Sequence, residues 1–158
     1  MQKHPITPTG YKKMQQHLQH MKSVLRPQVV KEVEIAMSHG DLGENAEYHA
    51  AKERLGVLGA QMSRIETRLA NSEIIDPKTF ASQDKIVFGA TVTLMDTQTN
   101  DEVTYQIVGD DETDAPKGRI GISSPVARGL IGKSSLDEVK IQTPGGVREF
   151  EVVKIEYR

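Results

Sequence analysis

Apolar residues near the start of the chain recur at alternating intervals of three and four. The residues at this spacing are Tyr11, Met14, Leu18, Met21 and Leu25. Such spacing places them in one stripe along an α-helix, which is the pattern of a coiled-coil seam. The pattern loosens after position 25, so the sequence predicts a long helix whose second part packs less regularly.

Residues with strong positional preferences mark the ends of this helix. Thr7 is a suitable N-cap, and Pro8 suits the first helical position, where its missing N–H costs nothing. Gly40 is expected to end the helix. Pro27 is an anomaly, because an interior proline removes a hydrogen bond, and it predicts a kink near Val24.

A second apolar run keeps the three-and-four spacing without interruption. Its members are Tyr48, Ala51, Leu55, Leu58, Met62, Ile65 and Leu69. Each helix is predicted to hold about 30 residues and to span roughly 45 Å. Two helices of matched length joined by a few residues fold back on each other. Residues 1–75 are therefore predicted to form an antiparallel hairpin with the sequence HGDLGE at its tip.

The helical pattern stops at Asp76-Pro77, and residues 76–158 are predicted to form a small, mostly antiparallel sheet domain. A short helix is expected to begin at Ser124-Pro125. The predicted fold class is thus α+β, with the helical hairpin first. Turn residues separate the strand-like runs, which are KIVFGATVTLMD, EVTYQIVG, RIGIS, EVKIQT and EFEVVKIEY.

Composition narrows the possible functions. The chain has 158 residues, of which 27% are charged, and no cysteine. The missing cysteine excludes disulfides, thiolate metal sites and a cysteine nucleophile. No apolar run approaches the length of a membrane span and the first residues lack a signal-peptide core, so we expect a cytoplasmic protein without a membrane partner. The net charge of -2 argues against a free-standing nucleic-acid binder.

The two carboxylates at the predicted tip allow two interpretations. In the commoner one, Asp41 and Glu44 form a capping box, with each side chain accepting from the other residue's backbone N–H. In the other, the long arm, with exposed Leu42 beside the acids, reaches into a partner. Two carboxylates hold Mg²⁺ weakly, because this ion requires octahedral oxygen ligation. They could nevertheless complete a metal site whose other ligands belong to the partner.

Several segments, in order along the chain, closely resemble the bacterial transcript cleavage factors of the Gre family. They are HGDLGENAEYHAAKE, VFGATVTL, YQIVGDDE, SSPVARGLIGK and TPGGVREFEVVKIEY, and the resemblance runs from about Ile6 to Tyr157. It implies a coiled coil that enters the secondary channel of RNA polymerase and an FKBP-like domain that docks at the channel rim. The implied function is non-enzymatic: the factor stimulates the polymerase to hydrolyse the 3′ end of backtracked RNA. A DNA-binding role would also follow from the resemblance.

The resemblance also implies roles for the tip acids. Asp41 is expected to help hold a weakly bound Mg²⁺ jointly with the polymerase. Glu44, a possible further ligand, is expected to orient or deprotonate the attacking water. Many relatives carry a polar or basic residue in place of Gly43. Glycine there is expected to cost up to about 1 kcal/mol of helix propensity and to loosen the tip.

Further contacts are implied outside the tip. Lys52, and less strongly Arg54, are expected to contact phosphates of the nascent RNA 3′ segment. Ser123, Ser124 and Pro125 are expected to contact the polymerase rim. The simpler interpretations are a solvated charged face for the basic residues and a strand connection for residues 123–125.

Three competing functions follow from the same sequence. The main competitor is a coiled-coil adaptor that only occupies the channel and competes with other factors. Prolyl isomerase activity, suggested by an FKBP-like fold, is disfavoured because the second half has few aromatic residues and no tryptophan to line the pocket. Zinc binding through His17 and His20, or through His39 and Asp41, is disfavoured because neither set is complete.

Overall fold

The structure is a computed structural model that describes residues 3–80 and 84–158. Contacts between residues divide the chain into two compact units. The first is Tyr11–Asn71, and the second combines residues 3–10 with the described part of Ser72–Arg158. The sequence-based boundary between residues 75 and 76 lies a few residues later than this division. Residues 3–10 join the second unit because strand β1 (His4–Ile6) pairs in parallel with strand β2 (Ser72–Ile74).

The first unit is a helical hairpin. Its first arm runs through helix α1 (Pro8–His20), a π-helical segment (Met21–Leu25) and helix α2 (Arg26–Ser38), and its second arm is helix α3 (Ala46–Ala70). Ion pairs join Lys22 to Glu66 and Glu32 to Arg54. Because higher numbers in the first arm pair with lower numbers in the second, the two arms are antiparallel, as predicted.

Burial follows the predicted seam. Met21, Leu58 and Met62 form the buried core of the hairpin. Every other predicted seam residue is at least half-buried, whereas most neighbouring positions are exposed. The apolar periodicity therefore predicted the packing faces of both helices correctly.

The predicted helix ends are confirmed for the first arm. The Thr7 hydroxyl oxygen accepts a hydrogen bond from the N–H of Gly10 at 3.1 Å, as an N-cap should. Gly40 has a left-handed φ of +79° directly after the C-cap residue His39. Glycine adopts this conformation without steric cost.

The anomaly at Pro27 coincides with the π-helical segment. The N–H of Arg26 donates to the carbonyl of Met21, five residues back. Proline at position 27 lacks an N–H and would crowd the carbonyl of residue 23 in a regular α-helix. The wider π turn immediately before Pro27 accommodates it, and it contains Val24, where the sequence predicts a kink.

The second unit contains a five-stranded sheet with the order β5-β4-β3-β7-β6. Its neighbours are antiparallel except for β4 and β5, which are parallel, so the prediction of a mostly antiparallel sheet is confirmed. An FKBP-like topology stays a prediction. The strands are β3 (Thr91–Asp96), β4 (Glu102–Val108), β5 (Arg119–Gly121), β6 (Glu138–Thr143) and β7 (Gly146–Glu156).

The core of this unit lies between the sheet and helix α4 (Pro125–Leu130). Ala127 and Leu130 of α4 are fully buried against strand residues that include Leu94 and Val152. The Ser124 hydroxyl oxygen accepts from the N–H of Ala127 at 3.2 Å, which confirms the predicted start of this helix. Within residues 3–80 and 84–158, none of the helices combines the length and hydropathy of a bilayer span.

Candidate functional site

The tip of the hairpin is the turn between Ser38, the last residue of α2, and Ala46, the first of α3. Two successive residues of this turn, Gly40 and Asp41, have left-handed φ values of +79° and +43°. The N–H of Glu44 donates to the carbonyl of Asp41 at 3.1 Å, which closes a tight turn. This turn brings the two predicted acidic residues to the same end of the hairpin.

The predicted capping box at Asp41 and Glu44 is wrong. Helix α3 begins after Asn45, whose extended backbone and side chain make it the N-cap. The side-chain oxygen of Asn45 accepts from the N–H of Tyr48 at 3.0 Å. The left-handed residues at 40 and 41 delay the start of the helix, so α3 has 25 residues and spans roughly 37 Å, less than predicted.

Asn45 also connects the two arms. Its side-chain NH₂ donates to the carbonyl of Ala36 at 2.6 Å and to that of Gly40 at 3.3 Å. The last carbonyls of a helix and the first N–H groups of the next lack regular intrahelical partners. This one amide bonds to both kinds of group, adding to the hydrogen bond that the N–H of His39 already donates to the Ala36 carbonyl at 3.2 Å. Sequence reasoning missed this residue, although asparagine is among the preferred N-cap residues.

Because Asn45 caps the helix, Asp41 and Glu44 have no capping role. Both residues are exposed, and neither carboxylate makes a hydrogen bond or ion pair with any described residue. Carboxylate oxygens are the ligands that Mg²⁺ prefers, so the pair fits a supplementary role in holding this ion. No group of three or more metal-binding side chains occurs in the described part of the chain, and the pair could fill only part of an octahedral shell.

Two histidines make polar contacts at the turn. His39 Nδ1 lies 3.2 Å from Glu47 Oε2, and both side chains are largely exposed. His49 Nε2 lies 3.3 Å from the carbonyl oxygen of Gly43. The structure therefore places His39 against Glu47 rather than in a zinc site with Asp41.

Gly43 lies in the turn before α3, so the predicted loss of helix propensity does not apply to it. Its φ is not left-handed. A Cβ added there would meet only Asp41 Oδ1, 4.0 Å away. The turn therefore tolerates a side chain at position 43, and glycine is not required by the backbone.

The two basic residues predicted to contact RNA differ in their surroundings. Arg54 donates from Nε and Nη2 to Glu32 Oε2 at 3.1 Å and 2.8 Å, across the hairpin. Lys52 Nζ lies 5.7 Å from the centre of the Tyr48 ring, which is a cation–π contact with a half-buried residue. Lys52 thus keeps its charge available to solvent, whereas the charge of Arg54 is partly compensated. Contact with RNA stays a prediction for both.

The residues predicted to contact the polymerase rim lie in the second unit and have local roles there. Ser123 donates from its hydroxyl and its N–H to the Asp110 carboxylate, at 2.7 Å and 3.0 Å. Ser124 caps α4, and Pro125 is the exposed first residue of that helix. Of the three, only Pro125 has an exposed side chain without a hydrogen-bonding role. The polymerase contact stays a prediction.

Comparison with known proteins covers nearly the whole chain. The family model "Transcription elongation factor, N-terminal" matches residues 4–74, and "Transcription elongation factor, GreA/GreB, C-term" matches residues 81–157. Transcription elongation factor GreA of Neisseria meningitidis serogroup A is 50% identical over 157 residues, which are 99% of each chain. The GreA of Haemophilus influenzae is 48% identical with the same coverage.

Solved structures include the GreA factor homolog Gfh1 of Thermus thermophilus, which is 25% identical. The alignment covers 98% of this chain and 99% of that one, with a TM-score of 0.44. None of these descriptions mentions DNA, so the expectation of DNA binding gains no support from them. On the family models and the full-length relatives, the chain belongs to the GreA/GreB family of transcription elongation factors.

Proposed function

We propose that this protein inserts the tip of its hairpin into the secondary channel of RNA polymerase in the cytoplasm. There it stimulates the polymerase's own Mg²⁺-dependent hydrolysis of a backtracked RNA 3′ end and so rescues the arrested complex. One observation carries the proposal. The capping role belongs to Asn45, so the two exposed carboxylates of Asp41 and Glu44 are left without a structural function.

The tip acids take different parts in this proposal. Asp41 contributes a carboxylate to an Mg²⁺ that it holds together with acidic residues of the polymerase, because its own chain offers too few ligands. The bound ion supplies Lewis-acid activation of water. Glu44, three positions further along the same turn, orients the attacking water and accepts its proton. The protein is thus an accessory factor that completes a partner's active site.

Two other surfaces support binding. Lys52, exposed on α3, contacts phosphates of the nascent RNA, and this contact weakens as salt increases. The surface around Pro125 docks at the polymerase rim. Neither contact reads the RNA sequence, which suits a factor that acts wherever transcription stalls.

The decisive experiment compares variants in their ability to shorten RNA in stalled elongation complexes. In the variant Asp41→Asn/Glu44→Gln both side chains keep their shape and lose their charge. Cleavage is expected to fall by about 100-fold or more, the usual effect of removing positioned acid–base groups. The unfolding free energy is expected to change by less than about 0.5 kcal/mol, since both residues are exposed.

The matched control is Glu47→Gln, which removes a carboxylate from the same region but one paired with His39. This variant is expected to keep cleavage within about twofold of the wild type. Undiminished cleavage by the double variant would refute the catalytic role. If that variant also displaced other channel-binding factors, the adaptor function would be the correct one.

A further inference from the structure

The second unit contains a cavity of about 600 Å³ that no role described above uses. Its walls are formed by residues 7–9, residues 76–78, alternate residues of strand β4 from Thr104 to Val108, and the turn at 117–119. Neither the tip acids nor residues 123–125 line it. Its volume is within the range of small-molecule sites, about 300–1,000 Å³.

The lining of this cavity is strongly basic. Four basic residues, Lys78, Lys117, Arg119 and Arg158, face it together with a single acidic one, Asp76. Residues 76–158 as a whole contain ten basic and fourteen acidic residues. The lining is therefore net positive, although residues 76–158 taken together are net negative. A local excess of positive charge favours an anionic occupant.

Three of the cations are uncompensated. Arg158 pairs with Glu156, at 3.2 Å from each of two carboxylate oxygens. Lys78, Lys117 and Arg119 make no side-chain hydrogen bond or ion pair with any described residue. Arg119 is also half-buried. A cation partly removed from water without a partner costs free energy, which a bound anion would offset.

The backbone of the turn that carries Lys117 and Arg119 is held firmly against the sheet. Gly118 has a φ of +73°, and a Cβ there would lie 2.6 Å from the carbonyl oxygen of Thr104. The turn that carries Lys117 and Arg119 is thus pressed directly against β4. The N–H and carbonyl of Arg119 both bond to Asp114, each at 3.0 Å. A site whose groups are already ordered binds with a smaller entropic cost.

The chemistry of the lining indicates the ligand class. None of the described residues around the cavity is aromatic, so no platform for stacking a base is present. Thr9 and Thr91 also line the cavity, and threonine hydroxyl groups can donate to oxygen atoms. Lysine, arginine and hydroxyl donors together match phosphate oxygens. We propose that this cavity binds a compact polyphosphate, a chain of two or three phosphates, either free or as part of a nucleotide.

Isothermal titration of the full chain with sodium tripolyphosphate, in buffer without Mg²⁺, tests the proposal. The variant Lys117→Gln/Arg119→Gln is expected to bind about 100-fold more weakly, because it loses two charge-assisted contacts and each amounts to roughly one decade of affinity. The matched control Arg128→Gln/Lys133→Gln removes one arginine and one lysine from exposed positions of the same unit outside the cavity. It is expected to stay within about twofold of the wild type.

Titrations with other ligands identify which class of anion the cavity binds. ATP binding as tightly as tripolyphosphate indicates that the phosphate chain alone is recognised, and tighter ATP binding assigns a nucleotide. Orthophosphate that binds as tightly as tripolyphosphate would overturn the polyphosphate assignment. A single-stranded oligonucleotide that binds more tightly than either would overturn the small-molecule assignment.

A second measurement does not depend on the variants folding. In ¹⁵N-labelled wild type, tripolyphosphate is expected to shift the amide signals of Lys78, Gln106 and Gly118 most strongly. Absence of binding at millimolar tripolyphosphate, equal loss in both double variants, or shifts centred elsewhere would each refute the proposal. RNA cleavage is not a readout here, so this result and that of the tip experiment are independent.

Discussion

At the scale of single residues, Asn45 determines the geometry of the tip. Its side-chain oxygen caps α3, and its NH₂ group holds the carbonyls of Ala36 and Gly40. The variant Asn45→Ala is expected to lower the free energy of unfolding by about 1–2 kcal/mol, because it removes an N-cap and leaves those carbonyls without this donor. Urea unfolding followed by circular dichroism measures the loss.

Two matched variants separate the functions of this amide. Asn45→Asp keeps the acceptor for the N–H of Tyr48 but cannot donate to Ala36. It should therefore lower the free energy of unfolding by less than Asn45→Ala does. Hydrogen exchange should show Tyr48 still protected and the end of α2 opened. Equal destabilisation by Asp and Ala would mean that the connection to α2, rather than the cap, provides the stability.

Asp96, at the end of β3, makes the second unit sensitive to acid. The hydrogen bond from Arg148 at 2.8 Å, together with the N–H groups of Gln98 and Thr99, lowers the pKa of the Asp96 carboxyl. Because the folded pKa lies below that of the unfolded chain, Asp96 stabilises the fold above about pH 4. This stabilisation is lost as the pH falls through the folded pKa.

The variant Asp96→Asn should therefore differ most from the wild type near neutral pH and least in acid. Urea unfolding at several pH values between 7 and 2 follows the difference. Asp101→Asn, which removes an exposed carboxylate from the same β3–β4 turn, is the control. A difference that does not vary with pH would show that Asp96 acts through its shape alone.

At the scale of secondary-structure elements, the π-helical segment explains why the first apolar pattern loosens. A regular three-and-four spacing would place the seam residue after Leu25 at Gln28, which is exposed. The next half-buried position is instead Val29, which packs against the hairpin core. A π turn takes up one extra residue. The segment at Met21–Leu25 thus moves the seam by one position and returns Val29, Val33 and Ala36 to the inner face.

Pro27 should consequently reduce the free energy of unfolding only slightly. An interior proline usually destabilises a helix by about 3 kcal/mol, but here the π turn has already removed the clash. The variant Pro27→Ala is expected to raise the free energy of unfolding by less than about 1 kcal/mol. Urea unfolding measures the change, with the exposed neighbour Gln28→Ala as the control. A gain near the full proline penalty would show that Pro27 strains the arm.

How much of these elements the sequence could predict depends on the range of the interactions. Burial on one helix face is a local property, so the periodicity identified both arms and the seam. The N-cap depends on backbone angles at Gly40 and Asp41, and the spacing of Asp41 and Glu44 fits a capping box equally well. The parallel pairs β1–β2 and β4–β5 each join three-residue segments through non-local contacts, which no local pattern shows.

At the scale of the whole molecule, the two compact units divide the proposed function. The hairpin supplies the tip acids, and the second unit carries Pro125, around which we propose the docking surface. The variant Asp41→Asn/Glu44→Gln should then still bind polymerase and act as an inhibitor of the wild-type protein. At a tenfold excess and equal affinity, mass action leaves about one polymerase in eleven with the active factor. The rate of RNA cleavage should therefore fall about tenfold.

The same competition locates the docking surface. Adding Pro125→Asp to the double variant places a charge on the exposed start of α4, where an acidic residue is compatible with the helix dipole. This triple variant should fold normally and lose most of its inhibition. A control with Lys133→Gln in place of Pro125→Asp should inhibit like the double variant. If the double variant itself failed to compete, binding would require the tip acids, and the proposed division between the units would be wrong.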